Sequence, residues 1–114
     1  MDISFRSTKL EKEFNEGKLL KRVHGELRAK KIGLRLAELR AASSLHDLGL
    51  PYDGPGRCHE LIGDRKGRLS VDLDHPFRLI FVPNHDPVPL KPDGGLDWKK
   101  VTAIMIFGIE DTHG

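Results

Sequence analysis

The sequence predicts one α+β domain over residues 1–114, in which a short N-terminal strand and two helices precede a mainly antiparallel four-stranded sheet. Three observations lead to this prediction. Residues 18–42 have the apolar spacing of a helix, residues 58–82 hold closely spaced segments that alternate like strands, and the chain length suits one modest core. A run of helices followed by a run of strands is typical of the α+β class.

The first elements are short. Residues 2–6 alternate apolar and polar side chains, which predicts a strand. Ser7 or Thr8 can cap a first helix that runs to about Asn15, and Gly17 would end it.

Residues 18–42 form the long helical candidate. Apolar and basic stripes run along it at spacings of three, four and seven residues, but the apolar stripe changes phase beyond Gly33. Because a glycine weakens a helix, we expect either a kink near Gly33 or a C-terminal half that packs on two sides. The early apolar stripe is Leu20, Val23, Leu27 and Leu34, the later one is Ile32, Leu36 and Leu39, and the basic stripe is Lys21, His24, Arg28, Lys31 and Arg35.

The sheet is predicted from closely spaced strand candidates at residues 58–63, 68–74 and 77–82. Their connections are short enough for antiparallel hairpins. We therefore expect 68–74 to pair with 77–82, and 77–82 to pair with the later strand 101–109. That last strand is nearly all apolar, as a strand buried on both faces would be.

Two segments rich in glycine and proline, residues 49–57 and 83–98, are predicted to be irregular. The second is long for a connection inside a compact domain, and long connections are often functional. Trp98 ends it, and we expect this tryptophan to anchor the loop in the core rather than to stack on a base.

The net charge of +2 conceals a strongly basic segment. Residues 18–40 carry eight lysines and arginines against two acids, whereas residues 41–114 carry eight against eleven. This asymmetry favours a contact with a polyanion or with an acidic protein partner, and a solvated helix face is the alternative.

Compartment and cofactors follow from what the sequence lacks. Cys58 is the only cysteine, which excludes an intramolecular disulfide and favours a small buried side chain in a reducing compartment. With no apolar leader and no long apolar stretch, we expect a cytoplasmic protein without a membrane partner. The histidines have no metal-site spacing and no nucleotide-binding motif is present, so we expect no metal and no cofactor.

The polar residues concentrate in three places that the predicted pairing can bring to one face of the sheet. Residues 57–68 form the densest polar cluster, Arg78 is a lone basic residue in an apolar strand, and residues 111–113 close the last strand. Two interpretations of Arg78 remain open: it contacts a ligand, or it forms a structural ion pair with an acid such as Asp111.

Residues 56–67 (GRCHELIGDRKG), 74–81 (DHPFRLIF) and 111–113 (DTH) resemble the HigB-type killer toxins of the RelE/ParE superfamily. The pattern of those toxins is roughly R-x-H-x-L-K-G-D-R-K-G, then W-R-I-x-F, then D-Y-H. The resemblance extends over about residues 30–82 and 101–113.

The resemblance implies a RelE-like, microbial RNase-like fold and the toxin half of a type II toxin–antitoxin system. It further implies ribosome-dependent, metal-independent cleavage of messenger RNA, and a cognate helix-turn-helix antitoxin of the HigA type. The superfamily also includes ParE-like inhibitors of DNA gyrase, so fold alone does not identify the target. A relative that only binds its antitoxin is a third alternative.

The catalytic roles can be assigned by chemistry. The imidazole of His59 can act as base or acid near neutral pH, and the guanidinium of Arg78 can hold phosphate oxygens. Asp111 could orient a histidine or act as base, and His113 is a second imidazole. The RNA backbone would be held by Arg57, Arg65, Lys66 and Arg68.

Two departures from the HigB pattern leave the activity open. Ile62 occupies the position of the usual lysine, and Thr112 that of the usual tyrosine. One cation and one phenol are therefore missing from the site that the resemblance implies, so cleavage could be weaker, could use other residues or could be absent.

Overall fold

The computed structural model describes residues 1–111, which form three helices packed on one side of a five-stranded sheet. Short 3-10 turns at Leu45–Leu48, Gly63–Arg65 and Trp98–Lys100 connect the main elements. The strands are β1 (Asp2–Phe5), β2 (His59–Glu60), β3 (Leu69–Asp72), β4 (Phe77–Pro83) and β5 (Ala103–Asp111), and the helices are α1 (Thr8–Asn15), α2 (Gly17–His24) and α3 (Glu26–Ala41).

The strand order across the sheet is β1-β5-β4-β3-β2. Strand β1 runs parallel to β5, and the other three neighbouring pairs are antiparallel. Both predicted pairings are confirmed, because Leu79 of β4 lies opposite Val71 of β3 and Ile109 of β5. The predicted four-stranded sheet gains the N-terminal strand as its fifth member.

The helical region differs from the prediction in where it breaks. The chain turns at Gly25, whose φ of +82° suits glycine, and α3 runs without interruption through Gly33. The expected kink at Gly33 is therefore wrong, and the described residues 1–111 contain three helices rather than two. Leu27 and Leu34 share this unbroken helix with the later stripe, so the change of phase marks two sides of α3 rather than a break.

The two apolar stripes of α3 differ in burial. Ile32, Leu36 and Leu39 pack in the core as the later stripe predicts, whereas Leu27 and Leu34 of the early stripe are exposed. Three members of the basic stripe make intramolecular contacts: His24 with Glu13, Arg28 with Asp74, and Arg35 with Glu38 and the Asp72 carbonyl.

Alternate residues of β3, β4 and β5 face the helices and form the core with them. Leu79 and Phe81 are fully buried on this side, and Cys58 is buried beside them as expected. Ser7 caps α1 by accepting a hydrogen bond from the Leu10 N–H (3.1 Å). No helix within residues 1–111 has the length and hydropathy that crossing a membrane requires.

The last strand is fully buried on one face only, contrary to its apolar sequence. Ile104 and Ile106 are inaccessible, but Phe107 is half-buried between the guanidinium groups of Arg6 and Arg68, 5.3 and 5.0 Å from its ring centroid. The segment 83–98 is irregular as predicted, and Trp98 packs against the core.

Candidate functional site

The side of the sheet that faces away from the helices carries two rows of side chains. Residues opposite one another in neighbouring strands point to the same side. One row is Asp72, Arg78 and Glu110, and the adjacent row is His59, Ser70 and Ile80, closed by Gly108 of β5. The first row is partly exposed and the second row is buried, and we refer to this side of the sheet as the open face.

His59 is held from three directions and is only 4% exposed. Its Nδ1 lies 2.8 Å from the Arg57 carbonyl oxygen, which can only accept, so Nδ1 carries the proton. Its Nε2 then accepts from Nη1 of Arg78 at 3.1 Å. The Tyr52 ring covers one face of the imidazole, with centroids 4.1 Å apart and 17° between the planes. In this arrangement the imidazole is neutral and its Nε2 lone pair points to Arg78.

Arg78 joins the imidazole to a carboxylate. Its Nε lies 3.3 Å from Oδ1 of Asp72, and its side chain remains 27% exposed. The structural ion pair considered for Arg78 therefore exists, but its partner is Asp72. Asp111 lies opposite Phe77 and so belongs to the side of the sheet that packs against the helices.

Each carboxylate of the first row serves two guanidinium groups. Asp72 contacts Arg78 and, through Oδ2, Nη1 of Arg57 at 3.3 Å. Glu110 contacts Nε of Arg65 at 2.7 Å and Nη1 of Arg68 at 3.6 Å. Four guanidinium groups shared by two carboxylates leave an excess of two positive charges, and every partner is partly exposed. Such a surface attracts an anion with several oxygens.

A cleft of about 250 Å³ opens beside this cluster. Ile62 is 88% exposed at its mouth, where the HigB pattern has a lysine. The cleft is lined by Tyr52, His59, Glu60, Leu61, Ile62, Arg65 and Arg78.

The structure brings most of the predicted site residues together. His59, Arg78, Arg57, Arg65 and Arg68 share the open face. Lys66, in the turn before β3, lines an adjoining groove that shares Glu60, Leu61 and Ile62 with the cleft. Asp111 is not brought to this cluster, and Thr112 and His113 lie outside the described residues. The roles assigned to all these residues stay predictions.

Three members of the cluster were missed by sequence reasoning. Asp72 and Glu110 had a usable signal, since both occupy alternate strand positions that fall opposite Arg78 once the register is known. Tyr52 had none, because it lies in an irregular loop.

A close backbone approach at Gly54 and two backbone hydrogen bonds hold the loop 49–57 beside His59. Gly54 admits no side chain, since a Cβ there would lie 2.1 Å from the Leu48 carbonyl oxygen. The backbone N–H of Tyr52 donates to the Cys58 carbonyl at 3.1 Å, and that of Arg57 donates to the Gly54 carbonyl at 2.9 Å. These bonds fix the loop against the start of β2.

Two groups near the site have shifted pKa values. Burial, aided by the charge of Glu60, raises the pKa of the Cys58 thiol to about 12, so this cysteine stays protonated and unreactive. Behind the sheet, the hydrogen bonds from Arg28 lower the pKa of Asp74 below its ordinary value of 3.8. The first excludes Cys58 as a nucleophile, and the second marks a salt bridge between α3 and the β3–β4 turn.

Comparison with known proteins gives a match in structure but not in sequence. No protein-family model and no curated protein matches the chain. The solved structure of the YoeB-YefM complex from Staphylococcus aureus is similar to it, with a TM-score of 0.52 and 16% sequence identity over 99% of this chain and 98% of that one. At this identity the likeness concerns the fold. The helices, the mixed sheet and this match together show that the chain has an α+β fold like that of the matched chain of the YoeB-YefM complex.

Proposed function

We propose that this chain is the toxin of a type II toxin–antitoxin pair, of the HigB type, and that it cleaves messenger RNA on the ribosome without a metal ion. The observation that carries the proposal is the contact between His59 and Arg78 on the open face, among four arginines that share two carboxylates. The similarity of the fold to the matched chain of the YoeB-YefM complex supports it.

The chemistry would use the ribose 2′-hydroxyl as nucleophile. Its oxygen forms a bond to phosphorus while the bond from phosphorus to the 5′-oxygen breaks, which gives a cyclic phosphate and a 5′-hydroxyl. One base must take the 2′ proton, one acid must protonate the 5′-oxygen, and a cation must stabilise the charge on the phosphate. Proton transfer by a positioned side chain contributes roughly 100- to 10,000-fold to such a rate.

His59 and Arg78 fit two of these three roles. The guanidinium of Arg78 has five N–H groups and uses few of them on Asp72 and His59, so it can also bind phosphate oxygens. When Arg78 turns towards the phosphate, Nε2 of His59 is released with its lone pair free to take the 2′ proton. For the acid, the sequence offers His113.

The RNA backbone would follow the cations around the cleft. Arg57, Arg65 and Arg68 are each more than a third exposed although ion-paired, and Lys66 is exposed on the adjoining turn. A phosphate can therefore reach these groups without burial of an uncompensated charge.

The outer surface of α2 and α3 supports an acidic protein partner, which we propose is a HigA-like antitoxin. Val23, Leu27 and Leu34 are 51, 65 and 49% exposed within the segment of highest positive charge. Leu27→Glu should weaken antitoxin binding and leave RNA cleavage intact, whereas Thr102→Glu, at an exposed position just before β5, should change neither. Equal loss of binding in both variants would contradict this assignment.

The test of the enzyme proposal is expression of the chain with and without the reading frame next to its gene, which we expect to encode the antitoxin. Primer extension on cellular messenger RNA then detects the cuts. The parent should arrest growth and cut messages. His59→Ala, Arg78→Ala and Arg78→Lys should each lose the cuts while remaining folded by circular dichroism. For Arg78 the loss should be about 100- to 1,000-fold, since one preorganised donor is removed. Arg40→Ala, on the helical side, is the matched control.

Inhibition of DNA gyrase is the second candidate, and the burial of His59 favours it. A gyrase inhibitor needs no catalytic histidine, and this imidazole is 4% exposed with both nitrogens engaged. Growth arrest that persists in His59→Ala, without message cleavage by the parent, would select this alternative. A parent that binds its antitoxin but arrests nothing would select the binding-only alternative.

A further inference from the structure

Tyr52 is a conspicuous member of the cluster that the proposed chemistry does not use. Its ring stacks on His59 at 4.1 Å, and its side chain lines the cleft that also contains Arg78. The ring comes from the loop 49–57, which directly precedes the strand of His59.

The backbone of the loop 49–57 is strained at two residues that both contact His59. Within residues 1–111, the non-glycine residues with a left-handed φ are Tyr52 (+69°) and Arg57 (+50°). Both contact His59, Tyr52 through its ring and Arg57 through its carbonyl oxygen. Side chains other than glycine adopt this conformation at a cost, and such strain concentrates at functional sites. Here the loop holds both strained residues against the same ring.

We propose that Tyr52 is a positioning residue for His59. Together with the Arg57 carbonyl it holds the imidazole as the Nδ1–H tautomer, with the Nε2 lone pair turned towards Arg78 and the cleft. The functional part of this inference rests on the proposed RNA cleavage, in which Nε2 is the base.

Hydrogen bonds and ring stacking restrain the imidazole in different ways. The bonds at Nδ1 and Nε2 select a tautomer, but both lie in the plane of the ring, so by themselves they leave it able to rock about its bond to Cβ. A ring stacked at 17° to the imidazole fixes its plane. Without Tyr52, the ring can turn, the bond to Arg57 can break and both tautomers can form.

The first experiment reads the imidazole directly, without RNA. In purified protein labelled with ¹⁵N-histidine, the ring nitrogens of His59 should report one Nδ1–H tautomer in the parent and in Tyr52→Phe. Tyr52→Ala and Tyr52→Gly should give a mixture. Glycine suits the left-handed φ at this position, so Tyr52→Gly keeps the test valid if the alanine variant folds poorly. Leu50→Ala, in the same loop, is the matched control.

The second experiment measures message cleavage on purified ribosomes. Tyr52→Ala and Tyr52→Gly should lower kcat about 10- to 100-fold, the usual effect of a misplaced catalytic group, with KM nearly unchanged. Tyr52→Phe should restore most of the rate, because the stacking ring is kept.

The outcomes separate the two proposals. A single tautomer in Tyr52→Ala, or a raised KM at constant kcat, would overturn the positioning role. Failure of Tyr52→Phe to restore the rate would assign the effect to the hydroxyl and overturn the stacking argument. If the parent cuts no message, the proposed function fails, but the nitrogen spectra still decide whether Tyr52 holds His59.

Discussion

Neighbouring residues of β3 and β4 point to opposite sides of the sheet, and the two sides differ in what holds their side chains in place. Towards the helices, Leu79 and Phe81 are fully buried among apolar side chains. One residue away, Arg78 lies on the open face between Asp72 and His59. The helical side is stabilised by burial, which many side chains of similar volume can provide. The open face depends on hydrogen-bond geometry, which few substitutions preserve. Fold stability and candidate chemistry can therefore be disturbed separately in one strand.

The largest expected effect comes from emptying the helical side. Phe81→Ala removes a fully buried ring and should lower the free energy of unfolding by about 3–5 kcal/mol. Arg78→Ala, three residues earlier in β4, should cost about 1–2 kcal/mol, because the exposed ion pair contributes little and Nε2 of the buried His59 loses its donor. Urea denaturation of both variants measures the difference. Equal losses would mean that Arg78 is a structural residue and would remove the main argument for a catalytic role.

Replacing a glycine by alanine should have opposite effects on stability in the loop 49–57 beside the open face and in helix α3. Gly54→Ala would place Cβ 2.1 Å from the Leu48 carbonyl, so the loop must move and about 1–3 kcal/mol should be lost. Gly33→Ala has no atom within 4 Å outside its own helix, and should stabilise the protein by about 1 kcal/mol. Thermal unfolding measures both. A destabilised Gly33→Ala would show that α3 needs the flexibility that its sequence first suggested.

The salt bridge between Arg28 and Asp74 should make the folding stability of the protein depend on pH. Arg28 donates to Asp74 at 3.0 and 3.1 Å and lies over the Phe77 ring at 3.6 Å. Because the folded pKa of Asp74 lies below 3.8, its contribution to stability is present above that pH and is lost as the pH falls through the lowered pKa.

Urea denaturation at about pH 6 and about pH 2.5 tests this linkage. The stability difference between the parent and Asp74→Asn should be large at the higher pH and should shrink at the lower one. Asp72→Asn removes a carboxylate on the open face, near the same turn, and is the control variant for Asp74→Asn. A difference for Asp74→Asn that does not change with pH would contradict the linkage.

Sequence reasoning predicted the helical side better than the open face, for a physical reason. Burial repeats with the period of the element, so alternation in β3 and β4 gave the strands and their pairing correctly. In α3, exposed leucines on a second side of the helix resembled a change of phase, so the expected kink at Gly33 is wrong. The open face depends on partners that are distant in sequence. The contact of Arg78 with Asp72, and the stacking of Tyr52 on His59, follow from register and loop conformation that no local pattern contains.

The smallest expected effects concern the cations at the mouth of the cleft. Lys66→Ala removes an exposed ammonium from the groove beside Ile62, and Ile62→Lys adds one at a side chain that is 88% exposed. Each phosphate contact on a single strand changes the slope of log K against log salt by about 0.7. Binding of a single-stranded RNA oligonucleotide should therefore lose about that much slope in Lys66→Ala and gain as much in Ile62→Lys.

Lys9→Ala, on the helical side of the sheet, is the control for these two variants and should leave the slope unchanged. Lys66 and Ile62 are both exposed, so substitution of either should change the folding stability of the protein little. If Ile62→Lys gains slope and also raises the cleavage rate, the isoleucine accounts for part of a weakened site. If neither variant changes the slope, the RNA does not pass this side of the cleft, and its path must run along Arg57 and Asp72 at the other end of the open face.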